Sequence, residues 1–247
     1  MKWRLYLVIS IASLSWVAVF AAWFGYFTLP NKWLNNTDAL AKTVEIKTNP
    51  SAGLNKINVF KIPFTPQAPY AKWDALHQEA CEEASMIMVA EYFKQNKKLQ
   101  LPADYAEKEI LKLVTWEEKN VYTMDVTASE VVKILKDYFN LEAKVVPYNV
   151  SVLRAALLKK QPVLIPAAGR KLGNPYFHRP GPLYHMLVIK GFQGNEFITN
   201  DPGTKRCENF RYTEKILNKA VHDWNGGAVD KGEQVMIIIS GYVKPLK

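Results

Sequence analysis

Cys81 heads a stretch with helical spacing of apolar residues, His185 opens a β-branched run, and Asp201 closes the next such run. These three residue types in this order suit nucleophilic acyl transfer. A thiolate attacks a carbonyl far better than a thiol, and a cysteine at a helix N-terminus beside an imidazolium has its pKa lowered. The backbone N–H of such a cysteine, unpaired in the first helical turn, can face the oxyanion that forms at the attacked carbon. The imidazole must hand a proton to the leaving amine, and an acceptor must hold its other nitrogen. A hairpin joining the two runs would set His185 and Asp201 at the same sheet edge. The chemistry requires sulfur, ring and carboxylate to meet in one water-accessible groove.

Two amides compete for a further role. Gln67 follows Lys61-Ile-Pro-Phe-Thr-Pro, and Gln78 lies three residues before Cys81; either can offer an N–H to an oxyanion. Trp73 can be a substrate wall, although an aromatic ring more often contributes burial, and core is the preferred reading. His77 and His178 are candidates for the cleft, whereas His222 beside Asp223 reads as structural. None of these histidines has metal-ligand spacing with another or with a cysteine, so no metal or other cofactor is expected. Cys207 follows Lys205-Arg206 without a helix start or a paired histidine and reads as incidental. A bond between Cys81 and Cys207 would silence the nucleophile, so both thiols are expected to be free.

The elements that must position these groups follow from periodicity. Residues 81–93 have apolar positions at helical spacing and two acids, Glu82 and Glu83, in the first turn, where the helix dipole favours them. Residues 103–114 form a second helical segment. Thr127-Ala-Ser-Glu130 has capping-box spacing and opens a third. A fourth spans 151–160 and stops before Pro162. The pattern then changes: Val163-Leu-Ile, Met186-Leu-Val-Ile, Glu196-Phe-Ile-Thr and Val235-Met-Ile-Ile-Ile read as buried strands, interrupted by a helix at 213–224. Helices first and strands later predict an α+β domain, a helical layer packed on an antiparallel sheet. Residues 169–183 hold too many glycines and prolines for an ordered element and read as a surface loop before His185.

The 247 residues are 49% hydrophobic and 22% charged, which excludes collagen-like, low-complexity and wholly disordered chains. Two cysteines cannot build a disulfide scaffold. The net charge of +9 is spread too evenly to indicate nucleic acid. Lys2-Trp-Arg4 precedes residues 5–29, which contain no Asp, Glu, Lys, Arg or His. A bilayer core of about 30 Å needs about 20 helical residues, so residues 1–30 are expected to be a transmembrane signal anchor rather than a cleaved signal. The basic flank keeps the N-terminus cytoplasmic and exports the residues beyond the span. Residues 31–56 read as a linker and 57–247 as the folded domain.

The chain resembles the bacteriocin-processing, double-glycine leader peptidase-like family of papain-like cysteine peptidases. The resemblance runs from about residue 58 to 204. It rests on the Pro-Phe-Thr-Pro-Gln67 segment, the Cys81 helix, the His185 strand with its trailing Gly191, and Asn200-Asp201-Pro202. It implies a papain-like fold with Cys81 as nucleophile, His185 as base, Asp201 as orienting carboxylate and Gln67 as oxyanion donor. The family commonly has Gly-Pro after the nucleophile, where this chain has Glu82-Glu83, and Gln67 lies farther upstream than usual. Gln78, Trp73 and His178 are then substrate-side candidates. The expected protein is a single-pass, membrane-tethered, extracytoplasmic cysteine peptidase, secreted if its first segment is cleaved, that acts on a peptide or protein substrate. The rival expectations are an idle module that binds peptide or cell-wall glycan, and a transpeptidase that uses an amine acceptor.

Overall fold

The computed structural model describes residues 57–244. The apolar run at 5–29 and the linker at 31–56 lie outside the described residues, and among the described residues no helix is long and apolar enough to cross a membrane.

One antiparallel sheet organises the domain. Its strands are β1 (Asn58–Val59), β2 (Leu141–Pro147), β3 (Val163–Ala168), β4 (Tyr184–Gln193), β5 (Glu196–Asn200), β6 (Glu208–Thr213) and β7 (Val235–Tyr242), in the order β2-β7-β3-β4-β5-β6, with β1 added to β4. The helices are α1 (Ala75–Glu79), α2 (Cys81–Phe93), α3 (Ala103–Lys119), α4 (Ala128–Asp137), α5 (Val150–Leu158), α6 (Gly169–Leu172) and α7 (Glu214–Ala220). The antiparallel sheet and its helical layer agree with the α+β expectation.

Strand alternation divides the interior into two cores. Met186 and Val188 of β4 join Leu164, Ile237 and Ile239 on the face covered by α2, α3 and α4, through residues such as Ala84, Ile110 and Ile134. Leu187 and Ile189 face the other way, with Ile165 and Ile238, under Leu153 of α5, Leu172 of α6 and Leu217 of α7. Helices therefore cover both faces, and the second layer was not anticipated. It consists of short helices whose few apolar positions make a weak periodic signal.

The Thr127 capping box forms as expected: Thr127 accepts from Glu130 N–H, and the Glu130 carboxylate accepts from Thr127 N–H at 2.8 Å. The helix expected at 213–224 is shorter, because Val221 turns extended and bridges Ala167. Helix α3 is longer than expected and ends at Lys119. The segment at 169–183 is not a plain surface loop. It opens with α6, in which Gly169 and Leu172 are buried, and a Cβ on Gly169 would lie 2.6 Å from the Pro182 carbonyl and 3.1 Å from His185 Cβ. The strands β2 and β6 were missed because each is an outer strand with one wet face, so each shows only a short alternation.

Candidate active site

Helix α2 begins at Cys81, directly after α1 and Ala80. The start of α2 meets β4 where β4 is open on one side, since β5 pairs only from Val188 onward. The backbone of Met186, which β5 does not pair, is used there: Ser85 Oγ donates to its carbonyl at 3.1 Å, and its N–H faces the Cys81 sulfur. The nucleophile candidate is thereby fixed against the residue that follows His185. Alternation turns the His185 side chain to the face opposite Met186, where its ring meets Phe177 edge-on with centroids 5.1 Å apart. The Cys81 thiol donates to Glu82 Oε2 at 2.8 Å, and among the described residues no hydrogen bond joins it to His185.

His185 and Asp201 are paired as the spacing required. His185 Nε2 lies 2.8 Å from Asp201 Oδ1, and both side chains are buried. Asp201 also accepts from Gly203 N–H at 2.9 Å, Asn174 Nδ2 at 3.1 Å and Tyr212 Oη at 2.5 Å. Burial alone would raise the pKa of this carboxyl. The charge and hydrogen bond of His185, with the Tyr212 and Gly203 donors, outweigh it and hold the carboxyl below its ordinary range. Asp201 is thus an anion at neutral pH whose lone pairs are spoken for, a suitable partner for an imidazole that must carry positive charge.

Sequence reasoning missed this cage. Asn174 lies in the segment read as a loop, yet it is buried and its Nδ2 also reaches Tyr212 Oη at 2.8 Å and Cys207 Sγ at 3.3 Å. Tyr212 sits on the missed strand β6, and only the alternation of 208–213 could have drawn attention to it. Cys207 is buried beside this cage, and both thiols are free.

The expectation for Cys81 itself is corrected on two points. Its residue is only 3% exposed, so the sulfur lies in a closed site rather than a water-accessible groove. Its pKa is pushed well above the ordinary thiol value rather than lowered. Burial is the main cause, followed by the charge and hydrogen bond of Glu82 and the charge of Glu83, with Met186 N–H opposing them. The helix start is present, but the acids that flank it dominate.

Gln67 is buried and acts between the two halves of the site. Its backbone N–H donates to Pro202 O at 2.9 Å, next to Asp201. Its Nε2 donates to the carbonyls of His77 and Gln78, each at 3.0 Å, in α1 just before Cys81. Both Nε2 hydrogens are therefore engaged, and Oε1 is buried without a partner among the described residues. Gln78 is exposed, and its Nε2 reaches Trp73 O at 3.3 Å. Trp73 is 46% exposed, which corrects its preferred assignment to the core. His178 is exposed, with Nδ1 near Arg179 O. His77 does not line an open cleft: it is buried, with Nδ1 2.6 Å from Asp74 Oδ1 and Nε2 3.1 Å from Glu107 Oε2. His222 lies beyond α7, with Nδ1 2.9 Å from Gly232 O.

Among the described residues, no group of three or more acids, histidines or cysteines is arranged to hold a metal. Beneath Cys81, however, acids gather. Glu83 and Glu117 share a hydrogen bond across α2 and α3. Burial raises their pKa values to about 7 and about 10 respectively, and Asp125 nearby is raised by burial to about 6.

Comparison with known proteins agrees with this architecture. A profile described as the Peptidase_C39 like family matches residues 60–226. Curated proteins give no match. Among solved structures, a Bacillus anthracis chain assigned as a C39-like peptidase is 16% identical with a TM-score of 0.50. The alignment covers 78% of this chain and all of that one. A double glycine motif protease from an AMS/PCAT transporter, solved with the leader peptide, is 20% identical with a TM-score of 0.42. It covers 74% of this chain and 93% of that one. With the family profile spanning the Cys81 helix, the His185 strand and Asp201, the chain belongs to the Peptidase_C39 like family and is a cysteine-type peptidase.

Proposed function

We propose that this protein hydrolyses peptide or isopeptide amides through Cys81, His185 and Asp201, by way of a thioester. The observation that carries the reading is the buried His185 Nε2 to Asp201 Oδ1 hydrogen bond at 2.8 Å. It takes one ring nitrogen and leaves Nδ1 for the thiol, whose sulfur is held by the backbone of the adjacent residue, Met186. Cys81 Sγ attacks the carbonyl carbon while His185 takes up the thiol proton. The oxyanion collapses, the amine leaves with that proton, and water releases the acyl group from sulfur.

The first-turn N–H of Cys81 is one oxyanion donor, and Gln67 is another if it releases His77 O or Gln78 O. Because the sulfur is buried, its covering must be displaced before a carbonyl reaches it. Trp73, Gln78 and His178 are the proposed substrate contacts; the exposure of all three supports this role. Tethering through residues 5–29, with the domain outside the cytoplasm, belongs to the same proposal and is supported by the length of the apolar run and its basic flank.

The test is cleavage of a mixture of fluorescence-quenched peptides by the purified full chain. Turnover is expected in the wild type and should be lost in Cys81→Ala and His185→Ala. Undiminished turnover in Cys81→Ala overturns the assignment. New products that carry an added amine would mark transfer in place of hydrolysis.

A further inference from the structure

Glu82 has no part in the reaction just proposed, although no side chain is closer to the sulfur in hydrogen-bonding terms. It is fully buried. Its Oε2 lies 2.8 Å from Cys81 Sγ, and its Oε1 lies 3.4 Å from Val126 N. The Met186 N–H that also meets the sulfur can only donate. Glu82 is therefore the group positioned to receive the S–H. The hydrogen-bond geometry thus commits the thiol hydrogen to Glu82 on α2 rather than to the imidazole on β4.

The surroundings reinforce this arrangement. Apart from His185, the proposed base, the titratable groups about Cys81 and Glu82 are Glu83 on α2, Glu117 on α3, Asp125 in the loop before α4, and Tyr184 on β4. Every one is an acid. A thiolate formed here without proton transfer to His185 would lie in a low-dielectric interior beside these acids, with the Met186 N–H as its donor. Burial, and then the charge and hydrogen bond of Glu82, push the thiol pKa up accordingly. Glu82 itself is raised well above the ordinary carboxyl range, by burial and then by Glu83. Each time Cys81 becomes a nucleophile, its hydrogen must leave Glu82 and reach His185.

We infer that Glu82 is a positioning residue for the nucleophile: its carboxyl group holds the Cys81 thiol hydrogen and keeps the sulfur in a protonated resting form, turned from His185, until the site opens. This inference rests on the reading of Cys81 as the nucleophile. No covalent bond changes in the resting contact; a single S–H donor exchanges one acceptor for another. The pair of glutamates that comes after the cysteine, a departure from the resembled family, thereby acquires a role.

The test is iodoacetamide alkylation of the full chain, read by mass spectrometry at Cys81 and Cys207 as a function of pH. Glu82→Met removes the acceptor at similar size. Cys81 should then react about ten-fold faster at neutral pH, the equivalent of about one unit in thiol pKa, with its pH midpoint moved down. Cys207, buried beside the Asp201 cage, should stay slow and reports that the fold is intact. An unchanged or slower Cys81 overturns the inference, the slower result marking Glu82 as an assisting base. If Glu82→Met does not fold, the infrared S–H stretch of the wild type decides. The band lost in Cys81→Ala should lie at lower wavenumber than the remaining Cys207 band, and an equal or higher position overturns the inference. Failure here is distinct from failure of the peptidase reading: peptide cleavage with unchanged alkylation counts against Glu82 alone, and faster alkylation without any peptide cleavage counts against the peptidase alone.

Discussion

The Glu83–Glu117 pair makes the stability of the domain depend on pH in a direction opposite to that of most salt-bridged carboxylates. Glu117 donates to Glu83, and burial, followed by the charge of Glu83 and its hydrogen bond, raises Glu117 from 4.5 to about 10. The folded chain therefore keeps a proton that the unfolded chain gives up above pH 4.5. The associated stability is complete below that pH and declines as the pH rises, until the folded carboxyl also ionises near 10. At about 1.4 kcal/mol per unit, the loss by pH 7 has a ceiling of roughly 3 kcal/mol. Glu117→Gln keeps a donor for Glu83 but never ionises. It should stabilise the fold by about 1–3 kcal/mol at pH 7 and by close to nothing at pH 4. For a chain of this size that is an increase of about 3–9 °C in melting temperature at pH 7. Thermal unfolding of both proteins, followed by circular dichroism between pH 4 and 8, measures it. A gap that does not widen with pH, or a variant less stable throughout, refutes the shared-proton account.

Two further outcomes concern the Asp201 cage. Tyr212→Phe deletes the hydroxyl that donates to Asp201 at 2.5 Å. It should lower kcat about ten-fold with KM nearly unchanged, because orientation of the imidazole is lost while the substrate contacts remain; an equal effect on KM would contradict this. Gly203→Ala places a Cβ 2.4 Å from Phe177 Cε1 and 3.1 Å from Asp201 Oδ1, and so displaces Phe177, whose ring packs edge-on against His185. Activity should fall by more than about ten-fold while the melting temperature drops by only a few degrees, and wild-type kinetics would show that the ring is free to yield.

Much of the scaffold was legible in the chain. The helix that starts at Cys81, the Thr127–Glu130 capping box and the β-branched runs that became β3, β4, β5 and β7 are local signals, set by residues within a few positions of one another. The pairing of His185 with Asp201 was also within reach, since a hairpin of two adjacent strands fixes it. The edges β2 and β6 were not, because half of each strand faces water and the apolar alternation is short. What the chain could not declare was the electrostatic state of the sulfur. A helix start and a nearby histidine argue for a thiolate, whereas the folded protein seals Cys81 from water and gathers Glu82, Glu83, Glu117 and Asp125 around it. Glu82 and Glu83 follow Cys81 directly in the chain, but Glu117 and Asp125 come from distant segments, and desolvation acts only once packing has removed the water, so the protonation of the nucleophile is decided by the tertiary structure. The same holds for Asp201: its type and place were written in Asn-Asp-Pro-Gly, but the four donors that hold it come from strands, a turn and a loop that meet only in the fold.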